Sequence, residues 1–112
     1  MADRWRVRLT PEARADIAAI VQWTGRQFGN QQPAAYAEAV SAALRSIAAN
    51  PRLATTRMRG DVVPGLRSLH VRVFRARARH VVFHRLRRGG VIVVLRVLHD
   101  NMDVRLHFGA ET

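Results

Sequence analysis

The chain has 112 residues and a net charge of +11, carried entirely by arginine: all 19 basic residues are Arg, and cysteine is absent. That length supports one domain, residues 1–112, around a single modest core. The missing cysteine excludes disulfides, thiolate catalysis and Cys-built zinc sites, and the missing lysine excludes Schiff-base chemistry. Divided after Thr56, the first part holds seven Arg against four acids and the second twelve against four. The positive field therefore gathers on the later half, where it suits an acidic protein or a nucleic acid. Residues 1–9 carry no apolar run of signal-peptide length and no stretch is long enough to span a bilayer, so a soluble cytoplasmic protein is expected.

Arg4–Leu9 alternates strictly, with Trp5, Val7 and Leu9 on one side and arginines on the other, as a half-buried edge strand does. Thr10-Pro11-Glu12 then reads as a helix start: a capping hydroxyl, proline at the first helical position and an acid in the first turn. Ala13, Ile17, Ile20, Val21, Thr24 and Phe28 recur at helical spacing, and Gly29-Asn30 stops the helix. Pro33 opens a second helix with the stripe Tyr36, Val40, Ala43, Leu44 and Ile47, closed by Asn50-Pro51. Two helices joined by a few residues form an antiparallel hairpin with one broad apolar side.

Residues 52–65 read as a loop with at most one helical turn; Arg59-Gly60-Asp61 within it is a chance tripeptide in a chain without a secretion signal. Leu66–Phe74 alternates Leu69, Val71 and Val73 as a second strand, and Arg75–Arg79 either extends it or turns into the next. His80–Leu86 is a third strand, with Val81 and Phe83 on one face and His80, Val82, His84 and Leu86 on the other. Arg87-Arg88-Gly89-Gly90 supplies a tight hairpin turn.

Val91–Leu98 is the strongest β signal in the chain. Strict alternation puts Val91, Val93, Leu95 and Val97 on one face and Ile92, Val94, Arg96 and Leu98 on the other. Both faces are apolar, which predicts a central strand covered on both sides. The fold class expected is α+β: an N-terminal strand and an antiparallel helix hairpin packed on an antiparallel sheet of three to four strands. The helix pair covers one face. Either the face of Ile92, Val94, Arg96 and Leu98 is left for an acidic, partly apolar segment of another chain, or the loop at 52–65 or the tail at 104–112 folds over it.

Leu9-Thr-Pro-Glu-Ala-Arg-Ala-Asp-Ile17, Gln27-Phe28-Gly29, Asn50-Pro51, Gly65-Leu66-Arg67-Ser68, Val81-Val82-Phe83 and above all Arg96-Val97-Leu98-His99 with Met102-Asp103 together resemble the ParE branch of the RelE/ParE toxins of bacterial type II toxin–antitoxin modules. The likeness covers nearly the whole chain. It implies a cognate ParD-like antitoxin and, as target, DNA gyrase or a related type II topoisomerase. The RelE branch on the same fold cuts messenger RNA in the ribosome, so fold alone does not choose between them. Antitoxin contacts are expected at Arg79, Val82, His84, Ile92, Val94, Arg96 and Leu98, with Arg96→Glu weakening the complex. Target contacts are expected at Arg79, His99, Met102 and Asp103.

A ribonuclease needs groups that activate the 2′-hydroxyl, stabilise the phosphorane and protonate the leaving oxygen. Arg79, Arg85 and Arg96 can hold phosphate and His84 or His99 can move a proton, but arginine is a poor shuttle and the single tyrosine, Tyr36, sits on an apolar helix stripe. His99, Asp100, Asp103 and His107 match no helix-face metal spacing, and Asp100 suits an N-cap. The helices carry only Arg14, Arg26 and Arg45, too few to read a major groove. The reading is a non-enzymatic inhibitor with no catalytic residue, metal, cofactor or small-molecule substrate, and no membrane partner.

Overall fold

The computed structural model describes residues 5–28, 31–53 and 55–108. Strand β1 (Arg6–Leu9) leads into helix α1 (Pro11–Phe28), which is followed by α2 (Gln31–Ala49). A two-residue strand β2 (Arg57–Met58), β3 (Arg67–His70), β4 (His80–Arg87), β5 (Val91–His99) and one turn of helix, α3 (Arg105–Phe108), complete the chain. The expected helix stop at Gly29-Asn30 and residue Arg4 of the first strand lie outside the described residues.

The α+β expectation holds, with a wider sheet. Five strands run in the order β1-β5-β4-β3-β2, and β1 pairs parallel to β5. After the helix pair the chain enters the sheet at its far edge, and β2, β3, β4 and β5 meander back until β5 lies beside β1, which places β5 inside the sheet as its apolar sequence requires. The loop before β3 contributes the short edge strand β2, followed by one turn in which the Arg59 carbonyl accepts the Val62 N–H at 3.0 Å and the Val63 N–H at 3.3 Å. The expected strand over Leu66–Phe74 ends at His70, because the His70 imidazole accepts the Arg72 N–H at 3.1 Å and tightens Val71–Val73 into a 3-10 turn. The β4–β5 hairpin closes through Gly89 and Gly90, both at positive φ (83° and 75°), where side chains other than glycine are strained.

The decisive departure lies within β5. Phe83 faces Arg96 across the ladder, but His84 faces Val94, so Leu95 is an extra residue and the strand carries a β-bulge there. The bulge shifts the side-chain alternation by one. Ile92, Val94 and Val97 all enter the core beneath the helices, with Ala13, Ile20, Val40, Ala43 and Ile47. Leu98 enters a second cluster on the opposite side, with Leu95 packed against it. The expectation that Ile92, Val94, Arg96 and Leu98 share one open face is therefore overturned.

That opposite side is closed by the chain itself. Val63 and Leu66 from the loop and Phe108 from α3 bury against Phe83 and Leu98, and the Phe83 and Phe108 rings meet at 5.6 Å between centroids. Burying one such ring contributes about 2–3 kcal/mol, enough to hold a single helical turn that has no stability alone. Of the two alternatives for the second face, the self-covering one is realised over this area.

Helix α1 locks the bulge in place. The Thr10 hydroxyl accepts the Ala13 N–H at 3.0 Å as an N-cap and donates to the Leu95 carbonyl at 2.9 Å. The Thr10 N–H donates to the Val94 carbonyl at 3.1 Å. Beyond that point β1 has ended, and Asp16 takes over as partner of the strand: its carboxylate accepts the Val97 N–H at 3.0 Å and the Arg96 guanidinium at 2.8 and 2.9 Å. Among the described residues no helix is long and apolar enough to cross a membrane.

Candidate functional site: an arginine-rimmed cleft

Because β4 and β5 are antiparallel, the first residue of one pairs with the last of the other, His80 with His99. Their rings meet edge to face at 5.2 Å between centroids. Tyr36 from the second turn of α2 reaches the same spot: its ring is buried, its hydroxyl contacts His80 Nδ1, and the two rings are perpendicular at 5.4 Å. Above this floor pass Arg75, Arg77 and Arg79, on the segment that leads into β4. Trp23 and Thr24 near the end of α1 form the opposite wall. Together these eight residues line a cleft of about 340 Å³.

The cleft combines fixed positive charge with uncharged proton carriers. Arg79 is held by Asp100 through Nε at 3.0 Å and Nη2 at 3.1 Å, and Asp100 also receives His70 Nε2 at 2.9 Å. These donors, Arg79 first, hold the Asp100 carboxyl well below the usual carboxylate range. Burial, with the neighbouring His99 as a lesser cause, lowers the His80 pKa to about 4, so this imidazole is neutral at pH 7. Burial likewise raises Tyr36, against a backbone hydrogen bond from Arg79 that acts the other way. His99 Nδ1 lies 3.2 Å from the Asn101 N and 3.4 Å from an Asp100 carboxylate oxygen. Among the eight lining residues none is acidic. The arrangement can hold an anion, stack an aromatic ring and offer hydroxyl or imidazole hydrogen bonds.

The residues expected to meet the target gather at this end. Arg79 and His99 both line the cleft, and the Asp100 N–H donates to the Arg79 carbonyl at 2.7 Å. Met102 and Asp103 follow in an exposed turn closed by the Met102 N–H on the His99 carbonyl at 3.1 Å. Asp103, and not Asp100, serves as the cap, accepting the Arg105 N–H at 3.2 Å.

The residues expected to meet the antitoxin do not form a surface. Val82, His84, Ile92 and Val94 are each 0% exposed, and Leu98 is 2% exposed beneath Phe108. Arg96 is engaged with Asp16 and lies near His107. Of that set Arg79 alone is exposed. The correction has two causes: the helix pair covers the face that carries Val82, Ile92 and Val94, and the bulge sends Leu98 to the other face, where the chain's own cover buries it.

Tyr36 is a core residue with its hydroxyl at the edge, as expected, but that edge is the cleft. Sequence reading missed Trp23, Arg75, Arg77 and His80. The available signals were the Arg-Ala-Arg-Ala-Arg run and a tryptophan standing off the apolar stripe of its helix. Among the described residues no three histidine or carboxylate groups are placed to hold a metal ion.

Comparison with known proteins places this architecture. The family model described as the ParE toxin of the type II toxin–antitoxin system, parDE, matches residues 7–104. The chain is 33% identical over 102 residues to Toxin ParE1 of Caulobacter vibrioides, covering 91% of this chain and 96% of that one. It is 34% identical over 99 residues to Toxin ParE1 of Mycobacterium tuberculosis, covering 88% and 93%. A solved chromosomal ParDE system from P. aeruginosa shares the fold, with a TM-score of 0.69 at 19% identity over 88% of this chain and 98% of that one. So does the toxin–antitoxin complex RelBE2 of Mycobacterium tuberculosis, with a TM-score of 0.59 at 22% identity over 86% and 98%. The fold is that of the RelE/ParE toxins, and the chain belongs to the ParE toxin family.

Proposed function

We propose that this toxin arrests growth by inhibiting DNA gyrase or a related type II topoisomerase, without a catalytic residue of its own, and that a ParD-like antitoxin in the cytoplasm neutralises it. The observation that carries the reading is the match to the ParE family along residues 7–104, with relatives named ParE1 at one-third identity over nine-tenths of the chain. The target surface is the end of the sheet that bears Arg79, His99, Met102 and Asp103.

The antitoxin surface must be drawn from exposed side chains. Arg72-Val73-Phe74-Arg75-Ala76-Arg77 presents two apolar side chains, Val73 at 48% and Phe74 at 36% exposure, within a run of arginines. An acidic, partly apolar antitoxin segment fits that run by charge and by hydrophobicity. Lying on it, such a segment also covers the rim of the cleft, so neutralisation follows from occlusion.

A second reading, ribosome-dependent cleavage of messenger RNA, is favoured by one observation: a neutral imidazole, a phenol and a second histidine lie beside three guanidinium groups. Induced expression in a bacterium separates the readings. Growth arrest with DNA breaks and intact messenger RNA, relieved by the antitoxin, supports gyrase; arrest with codon-positioned RNA cuts and intact DNA overturns it.

A further inference from the structure

We propose that the cleft is a binding site for one unpaired nucleotide of a single-stranded nucleic acid, with its base against Trp23 and its phosphate on Arg77 and Arg75. Four observations converge. The lining holds three arginines and no acid, so its ligand is anionic. Trp23 is 45% exposed on the wall, and an indole face is a platform that any base can stack on. The volume of about 340 Å³ matches the lower range of small-ligand pockets and admits one nucleotide; a base still stacked in a duplex cannot enter. The guanidinium groups are also not equivalent. Arg79 is fixed on Asp100 and acts as a rigid wall, whereas Arg77 is exposed and, among the described residues, makes no ion pair.

The floor adds directional contacts. Tyr36 and His80 are neutral and paired with each other, and the His99 ring lies against His80 at 5.2 Å between centroids. A hydrogen-bonding floor below a cationic rim suits a sugar or base edge below a phosphate. An acidic peptide would satisfy the arginines but has no need of the indole or of the polar floor, which favours the nucleotide. The inference does not depend on the identity of the toxin's target.

The test is fluorescence anisotropy of labelled oligonucleotides with the full chain: a twelve-residue oligothymidylate, a hairpin duplex of twelve base pairs, and an acidic phenylalanine-containing peptide as competitor. The single strand is expected to bind about ten-fold more tightly than the duplex, with Trp23→Ala removing about ten-fold and Trp23→Phe restoring most of it. Arg77→Ala is expected to weaken binding and to reduce the salt slope by about 0.7, the value of one phosphate contact on a single strand. Circular dichroism of each variant checks the fold. Equal affinity for duplex and single strand, indifference to both Trp23→Ala and Arg77→Ala, or no binding of the single strand overturns the proposal. Those results leave gyrase inhibition, read separately, where it stands.

Discussion

Arg96 and Asp16, 80 residues apart, meet in a two-pronged pair at 2.8 and 2.9 Å, and the same carboxylate accepts the Val97 N–H at 3.0 Å. The pair is mostly buried, with side-chain exposures of 24% and 16%. It ties α1 to β5 just past the bulge, where no neighbouring strand is present on that edge. Removing either partner strands the other, and a charged group that loses its hydrogen bonds in such a place costs about 2 kcal/mol. Asp16→Ala and Arg96→Ala should each lower urea-unfolding stability by roughly that amount, and the double variant should cost clearly less than their sum. Arg96→Glu should destabilise the toxin itself, so its effect on antitoxin affinity reports on folding; a fully stable Arg96→Glu variant would contradict the assignment.

Thr10 joins two places at once: its hydroxyl caps α1 at the Ala13 N–H and binds the carbonyl of the bulged Leu95. Loss of an N-cap typically costs about 1 kcal/mol, and the second bond raises the expectation for Thr10→Val to about 2 kcal/mol. Thr10→Ser keeps the hydroxyl and should be close to neutral. Thermal unfolding of the two variants side by side distinguishes the hydroxyl from the methyl group.

Acid should weaken the fold in two stages. His80 and His84 are buried, and burial lowers both pKa values to about 4 from an unfolded value near 6.5. The unfolded chain therefore binds protons that the folded chain refuses, so stability is complete above pH 6.5, falls as the pH drops toward 4, and levels off for these two groups below that. Each contributes up to about 3 kcal/mol of that loss. Below pH 4, protonation of Asp100, whose folded pKa is depressed by Arg79 and His70, removes a further contribution that is present above its unfolded pKa. His84 has no partner at Nε2 among the described residues. His84→Leu should thus flatten part of the slope between pH 6.5 and 4 in a denaturation series; an unchanged slope would refute its part.

Placing a carboxylate among the exposed residues after β3 should repel an acidic antitoxin. Val73→Asp is expected to weaken antitoxin binding about ten-fold or more, with a smaller loss of toxin stability than Phe74→Asp, since Val73 is 48% exposed and Phe74 36%. Calorimetric titration with the antitoxin measures it, and unaltered affinity would move the docking surface elsewhere.

Several elements were legible because each rests on local chemistry: the cap at Thr10-Pro11, the Gly89-Gly90 turn, the two helix stripes, and the interior place of β5. The face assignments on β5 were not. In Val91–Leu98 nearly every residue is apolar, so a bulge that slips the alternation leaves no mark in the pattern; the signal lies in Thr10 and Asp16, more than 75 residues earlier. The lid was read only as an alternative, since Val63, Leu66 and Phe108 are scattered among polar residues. The cleft draws on four separate segments, and only Arg79 and His99 of its lining could be named beforehand.

The most direct test of the account is a supercoiling assay with purified gyrase, run beside programmed ribosomes carrying labelled message. The account predicts lost supercoiling or trapped cleaved DNA, abolished by the antitoxin and reduced by substitution at His99, with the message left intact. Undisturbed gyrase together with cut message would contradict it.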